Sequence, residues 1–562
     1  MRARHKESSD ALKLDHGKNR KSEGGKAKRS GKTASGCSRR GGSRSTGIRR
    51  DRIAQPRVVG LVLGIVALGF CLLFYNPLLS TIGDNAQYVV LGKSLLAGKG
   101  LSHINAPDQK PDTKYPFMFP LILAGVILVA PGSIVALKLV GLAACAGAAM
   151  LYYALFRRSS EAIVALGAAL LAVMSPDILR HSTIILAEVP YLFASIGILA
   201  WVSSVEGRWS ERRWVPVALV LVVAAYYLKA VGIALAGAIV VSLLFRRKRA
   251  WAFAFTGGFI LLVLPWFLRV RRIGDGGTYI DYLFMKDPYR PYMGTVSAGE
   301  LLSRVTGNMG IYFGRIVPES VLPFLGKEGV APGPALQVLW WIASVLVGLG
   351  LVYRLWRRRT IMDVYLLAFL GICVLWPRVW AGVRFVVPVI PLLILCLLTG
   401  LWALLGCVTR GRGERVREGG LIGLVAVMSV GFVLVDRVEA ARDREYPPDW
   451  KSYFEAARWV RSHTDPQSVI ICRKPYLFFL ASDRRSLGYH FSRDTEEVLS
   501  GFEEAGATHV AVDQFFWTGT SAQYLVPTIL AHPDRFEVIF ATEQEPQTIV
   551  VRFLNPETKE GS

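Results

Sequence analysis

A few charged residues interrupt long apolar stretches of this sequence, and two of them are acids. Asp84 follows the first apolar run, and Glu188 stands at the start of a later one. A carboxylate in such a place can accept a proton from a hydroxyl group. If the runs cross a membrane, the cost of an ionisable group there indicates a function. Two simpler roles stay open: Asp84 could cap a helix predicted over residues 86–96, and Glu188 could be an ordinary helix-end acid.

Basic residues occupy comparable positions and could bind a phosphate. Lys229 lies between two apolar runs, Arg384 begins another, and Arg269 directly follows one together with Arg271 and Arg272. A guanidinium group is well suited to bidentate phosphate recognition. Lys229 could equally be a lysine that reaches from the membrane to the aqueous surface. The three arginines could contact a lipid phosphate or simply belong to a long loop.

Aromatic residues accompany these charges. Tyr88 follows the first acid by one helical turn and could frame the same pocket. The segment 114–120, which begins with Lys114 and Tyr115, contains two prolines, and we predict that they prevent a regular helix and form a rigid lip. The alternative is that this segment is an interfacial anchor, because Tyr and Phe favour the membrane surface.

Apolar helices are the elements that must position these residues. The chain has 562 residues, of which 52% are hydrophobic, and a mean hydropathy of +0.37. Several stretches approach twenty residues with few charges, which predicts a polytopic α-helical membrane protein. The segment 116–130 is too short to span and is predicted to be re-entrant or interfacial. About eleven transmembrane helices are predicted, over residues 58–79, 133–156, 161–176, 189–205, 214–228, 230–245, 250–268, 336–353, 361–377, 383–406 and 420–436.

The distribution of charge predicts the orientation. Residues 1–57 carry 18 Lys and Arg against 5 Asp and Glu, a large part of the net charge of +24. We predict that residues 1–56 are a disordered basic cytoplasmic tail, although a nucleic-acid-binding arm is the alternative. The tail interpretation implies no nucleic-acid partner. Five later loops are rich in arginine and obey the positive-inside rule if they face the cytoplasm. These loops cover residues 157–158, 208–213, 246–249, 354–359 and 410–417.

This orientation places both acids and the C-terminal region outside the cytoplasm. We predict a transmembrane region over residues 57–437 in the plasma (inner) membrane, and a small soluble extracytoplasmic α/β domain over residues 438–562. In that domain, residues 455–461 resemble a helix. Four stretches resemble strands: 468–472, 508–512, 536–540 and 548–553. No glycine-rich phosphate loop is present in it, so we do not expect a second catalytic domain. This domain could bind the acceptor or cover the site.

An ordered series of short motifs carries a family resemblance. Asp84 and Tyr88 precede "LGKSLLAGKGL", which is followed by "KYPFMFPLILAG", "ILAEVPYLFAS", "YYLKAVGI" and "RFVVPVIPLL". Over residues 57–437 the chain resembles the GT-C integral-membrane glycosyltransferases. The closest branch is the protein O-mannosyltransferase and aminoarabinose-transferase group, glycosyltransferase family 39. In that family the first outer loop carries the catalytic acid, which corresponds to Asp84, and the acid of the later motif corresponds to Glu188.

The resemblance implies that a sugar moves from a polyprenyl-phosphate donor to an acceptor hydroxyl at the extracytoplasmic face, with inversion. It implies membrane lipids as partners and an acceptor that is a protein, a lipid or a glycan. Asn85 stands where the family often has a second acid. The seven Cys show no CxxC pair and indicate no metal cluster, and a divalent cation stays open as a cofactor. The residues expected to bind substrate are Tyr88, Lys114, Tyr115, Lys229, Arg269 and Arg384.

Two other functions compete with the transferase. A transporter or flippase of a lipid-linked saccharide would need charges along the midplane of several spans, together with internal repeats. A scaffold that merely displays the C-terminal domain would leave Glu188, Lys229 and Arg384 without a role. The charged residues gather at one face and no convincing repeat is present, which favours the transferase.

Overall fold

The structure is a computed structural model that describes residues 55–274, 278–326, 333–409, 413–442 and 444–554. Nearly all of the predicted cytoplasmic tail therefore lies outside the described residues. The described chain consists of a bundle of apolar helices followed by a C-terminal segment (residues 444–554) that contains a small sheet.

The first part of the bundle runs from α1 to α10 and includes a long loop between α2 and α3. Its helices are α1 (Pro56–Leu73), α2 (Gly83–Leu96), α3 (Met118–Val129), α4 (Ile134–Phe156), α5 (Ala162–Val173), α6 (Pro176–Ser182), α7 (Glu188–Val205), α8 (Glu211–Leu228), α9 (Ile233–Phe245) and α10 (Arg249–Ile273). The second part continues with α11 (Tyr279–Phe284), α12 (Ala298–Ile311), α13 (Val317–Val321), α14 (Pro334–Arg357), α15 (Ile361–Leu375), α16 (Val383–Val386), α17 (Ile390–Val408) and α18 (Glu414–Arg442).

Each of the eleven predicted spans contains a helix, which confirms a polytopic helical membrane protein. Within the described residues, seven helices are long and apolar enough to cross a membrane, or eight if the bent pair α5 and α6 counts as one span. The spans predicted over 214–228, 230–245 and 361–377 correspond to α8, α9 and α15, which are shorter or carry more charge. The prediction over 58–79 was too long, because α1 ends at Leu73.

Helix α3 has 12 residues and is therefore about 18 Å long, too short for a hydrocarbon core of about 30 Å. This length agrees with the prediction of a re-entrant or interfacial piece. The expectation that the prolines of segment 114–120 prevent a regular helix was wrong for its second half. Helix α3 begins at Met118, so Pro120 lies in its first turn, where a missing N–H is tolerated.

Ion pairs between the ends of different helices define the two ends of the bundle. Arg384, at the start of α16, contacts Asp84 in the first turn of α2 and Glu188 at the start of α7. We call this the Asp84 end. Helix α7 runs away from it, and Glu206, directly after α7, pairs with Arg246 at the end of α9. That opposite end is the basic end.

The predicted arginine-rich loops follow α4, α7, α9, α14 and α17, and the helix directions place them at the basic end. Helix α4 starts at the Asp84 end, because the Lys138 ammonium donates to the carbonyl of Asn76, between α1 and α2. Its far end meets the end of α14, where Arg354 donates to Ser160. The separation of acids from arginine clusters is thus a property of the fold, although residues 410–412 of the last loop lie outside the described part.

Close helix packing is made by glycines at one helix pair. Helices α14 and α17 cross at Gly350 and Gly400, where a Cβ on Gly350 would overlap the carbonyl oxygen of Cys396 and one on Gly400 that of Leu346. Small residues let transmembrane backbones approach closely, because dispersion rather than water exclusion holds such helices together. Helix α17 is consequently among the most buried elements of the bundle.

The C-terminal segment packs helices against a mixed five-stranded sheet. Its strands are β1 (Val469–Ile471), β2 (Arg485–Leu487), β3 (His509–Val512), β4 (Phe536–Ala541) and β5 (Ile549–Phe553), in the order β2-β1-β3-β5-β4. Strand β1 is parallel to both neighbours, whereas β5 is antiparallel to β3 and β4. Its helices are α19 (Pro448–His463), α20 (Pro475–Ser482), α21 (Thr495–Glu504) and α22 (Val526–Ala531). The predicted helix and four strands are present, and β2 was missed because its sequence, Arg-Ser-Leu, lacks the β-branched residues that mark β1.

Hydrogen bonds join this segment to the loop between α2 and α3. The Asn105 amide donates to the carbonyl of Ser486 at 2.9 Å, and the Ser486 N–H donates back to the Asn105 carbonyl at 2.6 Å. The hydroxyl of Tyr476 lies 3.1 Å from Nδ1 of His103. These contacts seat the segment on the Asp84 end of the bundle.

Candidate active site

Asp84 is held in the first turn of α2 rather than at its cap. The cap residue is Ile82, and it provides no side-chain hydrogen bond to the helix. The alternative that Asp84 is a helix cap is therefore wrong. The neighbouring Asn85 is buried and turns its amide to the carbonyls of Ser80 and Ile82, which fixes the loop that leads into α2. The carboxylate of Asp84 is consequently presented on a rigid turn.

A continuous chain of opposite charges starts at this carboxylate. Oδ1 of Asp84 lies 3.3 Å from Nζ of Lys114, and Oδ2 accepts a 2.7 Å hydrogen bond from Nη2 of Arg384. Burial opposes ionisation of Asp84, but the positive charges of Lys114 and Arg384 outweigh it and hold its pKa well below the usual range. Asp84 is therefore ionised at neutral pH.

Arg384 continues the chain to the second acid. Its Nε donates to Oε1 of Glu188 at 2.6 Å, and Nζ of Lys229 lies 3.3 Å from the same oxygen. Glu188 is only 1% exposed, and its other oxygen, Oε2, has no hydrogen-bond partner among the described residues. The guanidinium fork thus joins the starts of three helices, α2, α7 and α16, which are far apart in sequence.

Two cavities meet at Asp84. The larger cavity has a volume of about 680 Å³, and its wall includes Asp84, Lys114, Lys229 and Arg384. The smaller cavity, about 170 Å³, reaches Asp84 from the side of α20. A volume of several hundred Å³ is typical of small-molecule sites. Glu188 lines neither cavity and lies behind Arg384.

The structure brings most of the predicted binding residues to the larger cavity. Tyr88 and Tyr115 both line it, with ring centroids 4.4 Å apart, and Lys114 stands beside them. Arg269 is the exception. Its guanidinium donates to the carbonyl of Asp112 at 2.7 Å and packs on Trp266, so it supports the loop before Lys114 and lines neither cavity.

Residues from the C-terminal segment complete the wall, and the sequence analysis missed them. Trp450, Arg473, Lys474 and Trp517 all line the larger cavity. Burial, and then the adjacent charge of Arg473, lower the pKa of Lys474 to about 8. The segment therefore contributes side chains to the cavity wall, and its expected roles of binding the acceptor or covering the site stay predictions. An Arg-Lys pair directly after a buried strand was the available sequence signal.

Aromatic rings from two segments make the remaining face of the larger cavity. Tyr279 and Tyr282 come from the short helix α11 and Tyr289 from the loop after it, whereas Trp376 and Trp380 come from the segment after α15. The two segments interlock, since Nε1 of Trp380 donates to the hydroxyl of Tyr289 at 3.2 Å. These residues were also missed, because aromatic residues in loops near a membrane are common as interfacial anchors.

The charges at the site do not suit a divalent cation. Each acid is already paired with two basic groups, and the residue beside Asp84 is an asparagine whose amide faces the backbone. Within the described ranges, no group of three or more His, Cys, Asp or Glu side chains is arranged to hold a metal ion. A hard cation prefers several oxygen ligands free of competing positive charge, so this arrangement fits an anion better.

Comparison with known proteins identifies the fold. No family model matches the sequence, and no curated protein sequence does. The structure is similar to that of ArnT from Cupriavidus metallidurans in the apo state, with a TM-score of 0.54 and 15% sequence identity, covering 88% of this chain and 97% of that one. ArnT bound to undecaprenyl phosphate gives a TM-score of 0.52 at 14% identity, covering 88% and 96%.

A second similar structure is the Archaeoglobus fulgidus oligosaccharyltransferase tethered to an acceptor peptide. Its TM-score is 0.53 at 12% identity, and the alignment covers 86% of this chain and 73% of that one. At such identities the likeness establishes the fold alone. The chain is a polytopic membrane protein with the GT-C fold, and the resemblance stated from the motif series is confirmed at that level.

Proposed function

We propose that this protein is a membrane glycosyltransferase that transfers a sugar from a polyprenyl-phosphate donor to an acceptor hydroxyl. The observation that carries the proposal is the ionised carboxylate of Asp84, which stands where two cavities meet and is surrounded by basic groups. This reaction requires a carboxylate that acts as a base, with a site for an anion directly beside it. The GT-C fold supports the proposal independently.

Asp84 acts as the general base. The acceptor oxygen attacks the anomeric carbon while the bond from that carbon to the phosphate oxygen breaks, and the hydroxyl proton passes to the carboxylate. An ionised carboxylate has about four lone-pair sites, so both oxygens of Asp84 can keep their basic partners and still accept this proton. Its low pKa suits a late transfer, when the attacking oxygen has already become acidic. A single displacement inverts the anomeric centre.

The departing phosphate requires positive charge. Lys114, Lys229 and Arg384 line the same cavity as Asp84, and preorganised cations stabilise charge that develops in the transition state. Each uses only part of its donor capacity on the acids, because an ammonium has three donors and a guanidinium has five. These three residues are the proposed phosphate ligands from the bundle.

Glu188 acts as a positioning residue. It is buried behind Arg384 and lines neither cavity, so it does not touch the substrate. Its charge orients Arg384 toward Asp84 and offsets part of the surrounding positive charge. Tyr88 and Tyr115 shape the wall beside the base. Arg269 supports the loop that carries Lys114 rather than binding substrate.

The lipid part of the donor accounts for the surrounding helices. ArnT has been solved with undecaprenyl phosphate, and the archaeal oligosaccharyltransferase with an inhibitory peptide and a dolichol-phosphate. Both support a polyprenyl carrier whose tail stays in the bilayer while its phosphate reaches the cavity. The arginine-rich loops at the basic end support a cytoplasmic location for that end. The Asp84 end and the C-terminal segment then face the extracytoplasmic side of the plasma membrane.

The test compares wild type with Asp84→Asn in native lipid, with a mixture of polyprenyl-phosphate sugars as donors. Asp108→Asn is the matched control, because Asp108 lies in the loop after α2, is about half exposed and pairs only with Lys110 among the described residues. We expect Asp84→Asn to abolish transfer and to retain binding of the lipid phosphate. Asp108→Asn should transfer at the wild-type rate.

Two outcomes would contradict the proposal. If Asp84→Asn transfers as fast as wild type, Asp84 is not the base, and Glu188 is the next acid to examine. If wild type transfers no sugar but moves the lipid-linked saccharide across vesicles, the chain is a flippase.

A further inference from the structure

We propose that Arg473 and Lys474 of the C-terminal segment are ligands of the donor phosphate, so that this segment forms part of the active site itself. This inference rests on the proposed function and extends it to residues outside the bundle. It also gives the segment a role other than acceptor binding or simple covering.

The fold places these two residues where parallel sheets bind ligands. They follow β1 after one intervening residue, Cys472, and they precede α20; β1 has parallel neighbours on both sides. Ligands of open α/β sheets bind outside the carboxyl ends of such strands. The Lys474 N–H donates to the hydroxyl of Tyr453 at 3.0 Å, which fixes the backbone at this point. The pair is thus presented by a rigid edge.

Both residues line the cavity walls that include Asp84. Arg473 and Lys474 line the larger and the smaller cavity, and they share both walls with Gly83 and Asp84. Nζ of Lys474 lies 3.3 Å from the position that a Cβ on Gly83 would occupy, at the first residue of α2. The positive end of the helix dipole of α2 is directed at the same place. A phosphate held there would lie next to the base.

Unlike the other cations at the site, these two have no carboxylate within ion-pair distance among the described residues, although Asp84 acts on Lys474 and Asp513 on Arg473 over longer distances. Lys114, Lys229 and Arg384 each contact a carboxylate, whereas neither Arg473 nor Lys474 forms an ion pair with a described residue.

Aromatic rings and one hydroxyl hold this pair of cations instead. Nζ of Lys474 lies 4.4 Å from the ring centroid of Trp517, and the Arg473 guanidinium lies 5.0 Å from the same ring. Nε of Arg473 donates to Thr520 at 2.6 Å, which leaves its terminal nitrogens for another acceptor.

Two adjacent cations at a cavity wall, neither in direct contact with a described carboxylate, favour a bound anion. Placing two like charges side by side under partial burial is unfavourable unless a counter-ion joins them. A phosphate with two bonds or more to the pair supplies it, since arginine and lysine both bind phosphate oxygens well. The depressed pKa of Lys474 has the same cause, namely burial and the neighbouring positive charge. Either a lipid phosphate or free inorganic phosphate offers this chemistry.

The experiment measures binding of undecaprenyl phosphate to the full-length protein in lipid nanodiscs, for wild type, Arg473→Gln, Lys474→Met and Lys474→Arg. Undecaprenol, which lacks the phosphate, is the second probe, and inorganic phosphate is the competitor. Arg552→Gln is the matched control, because Arg552 is 53% exposed on β5 and pairs with Glu537. A thermal unfolding curve for each variant verifies that it is folded.

We expect Arg473→Gln and Lys474→Met each to weaken binding of undecaprenyl phosphate about tenfold or more. Binding of undecaprenol should stay unchanged, and both Lys474→Arg and Arg552→Gln should bind the lipid phosphate within about twofold of wild type. Unchanged binding in both charge-removing variants would overturn the inference. Equal loss of undecaprenol binding would also overturn it, as would inorganic phosphate that binds while the lipid phosphate does not.

This readout is independent of sugar transfer. Loss of transfer in Asp84→Asn with intact lipid-phosphate binding in both Arg473→Gln and Lys474→Met would leave the proposed function standing and refute only the role of this pair. Weakened lipid-phosphate binding in Lys474→Met, together with no transfer by wild type, would support the role of this pair and contradict the proposed function.

Discussion

Replacing Arg384 with lysine tests whether the guanidinium fork, rather than its charge alone, organises the site. Arg384 reaches Asp84 through Nη2 at 2.7 Å and Glu188 through Nε at 2.6 Å. A lysine keeps the charge but concentrates its donors at one point, so it can retain only one of the two contacts. Arg384→Lys therefore separates charge from geometry.

The expected magnitude follows from the contact that is lost. A hydrogen bond to a charged group contributes about 1.5–3 kcal/mol. Since about 1.4 kcal/mol corresponds to a factor of ten in rate, turnover should fall about tenfold to 150-fold if the bond aligns the base in the transition state. The assay is single-turnover transfer at saturating donor, normalised to folded protein.

Arg354 provides a matched control at the other end of the bundle. It is 1% exposed, pairs with Asp363 at 2.6 Å and also donates to Ser159 and Ser160. Arg354→Lys should lower the melting temperature about as much as Arg384→Lys and leave turnover unchanged. If Arg384→Lys keeps wild-type turnover, or if Arg354→Lys loses as much, the fork has no special role in the reaction.

Two further predictions concern charge and packing. Because the pKa of Lys474 is about 8, binding of undecaprenyl phosphate should weaken as the pH rises above that value, and Lys474→Arg should abolish this dependence, as titration of binding against pH will reveal. The same depressed pKa makes the unfolded chain bind more protons between pH 8 and the usual lysine value of about 10.4, so the free energy of unfolding should rise across that range. Gly350→Ala should destabilise the bundle by about 1–3 kcal/mol, because its Cβ overlaps the backbone of α17. Gly348→Ala, which meets nothing within 4 Å, should melt at or slightly above the wild-type temperature; equal melting of the two variants would disprove the close crossing.

Local composition was sufficient to predict much of the bundle. Each apolar run predicts a helix from its own sequence, because a bilayer forces each span to satisfy its own backbone hydrogen bonds. The arginine clusters between the runs predict orientation in the same local way. Every predicted span therefore contains a helix. Boundaries were less accurate: α1 ends at Leu73 instead of residue 79, and α18 extends to Arg442. The proposed domain limits at residues 57 and 437 stay predictions.

The candidate site was predicted in part, and the reason differs from residue to residue. Asp84, Glu188, Lys229 and Arg384 were found because a charge is conspicuous at the end of an apolar run. Arg473 and Lys474 were not, because two basic residues between a strand and a helix of a predicted soluble domain are ordinary. The residues next to them in the sequence do not indicate that the C-terminal segment packs against α2.

The sequence by itself determined the helical membrane architecture and the residues that are too costly to bury without a purpose. Only the tertiary structure decided that the guanidinium of Arg384 joins Asp84 to Glu188. Arg384 lies 300 residues after Asp84 in the chain. The tertiary structure also decided that Glu188 lies behind Arg384 and that the C-terminal segment completes the cavity wall. The physical reason is that periodicity and hydropathy are local properties, whereas a charge pair or a cavity depends on how distant elements pack.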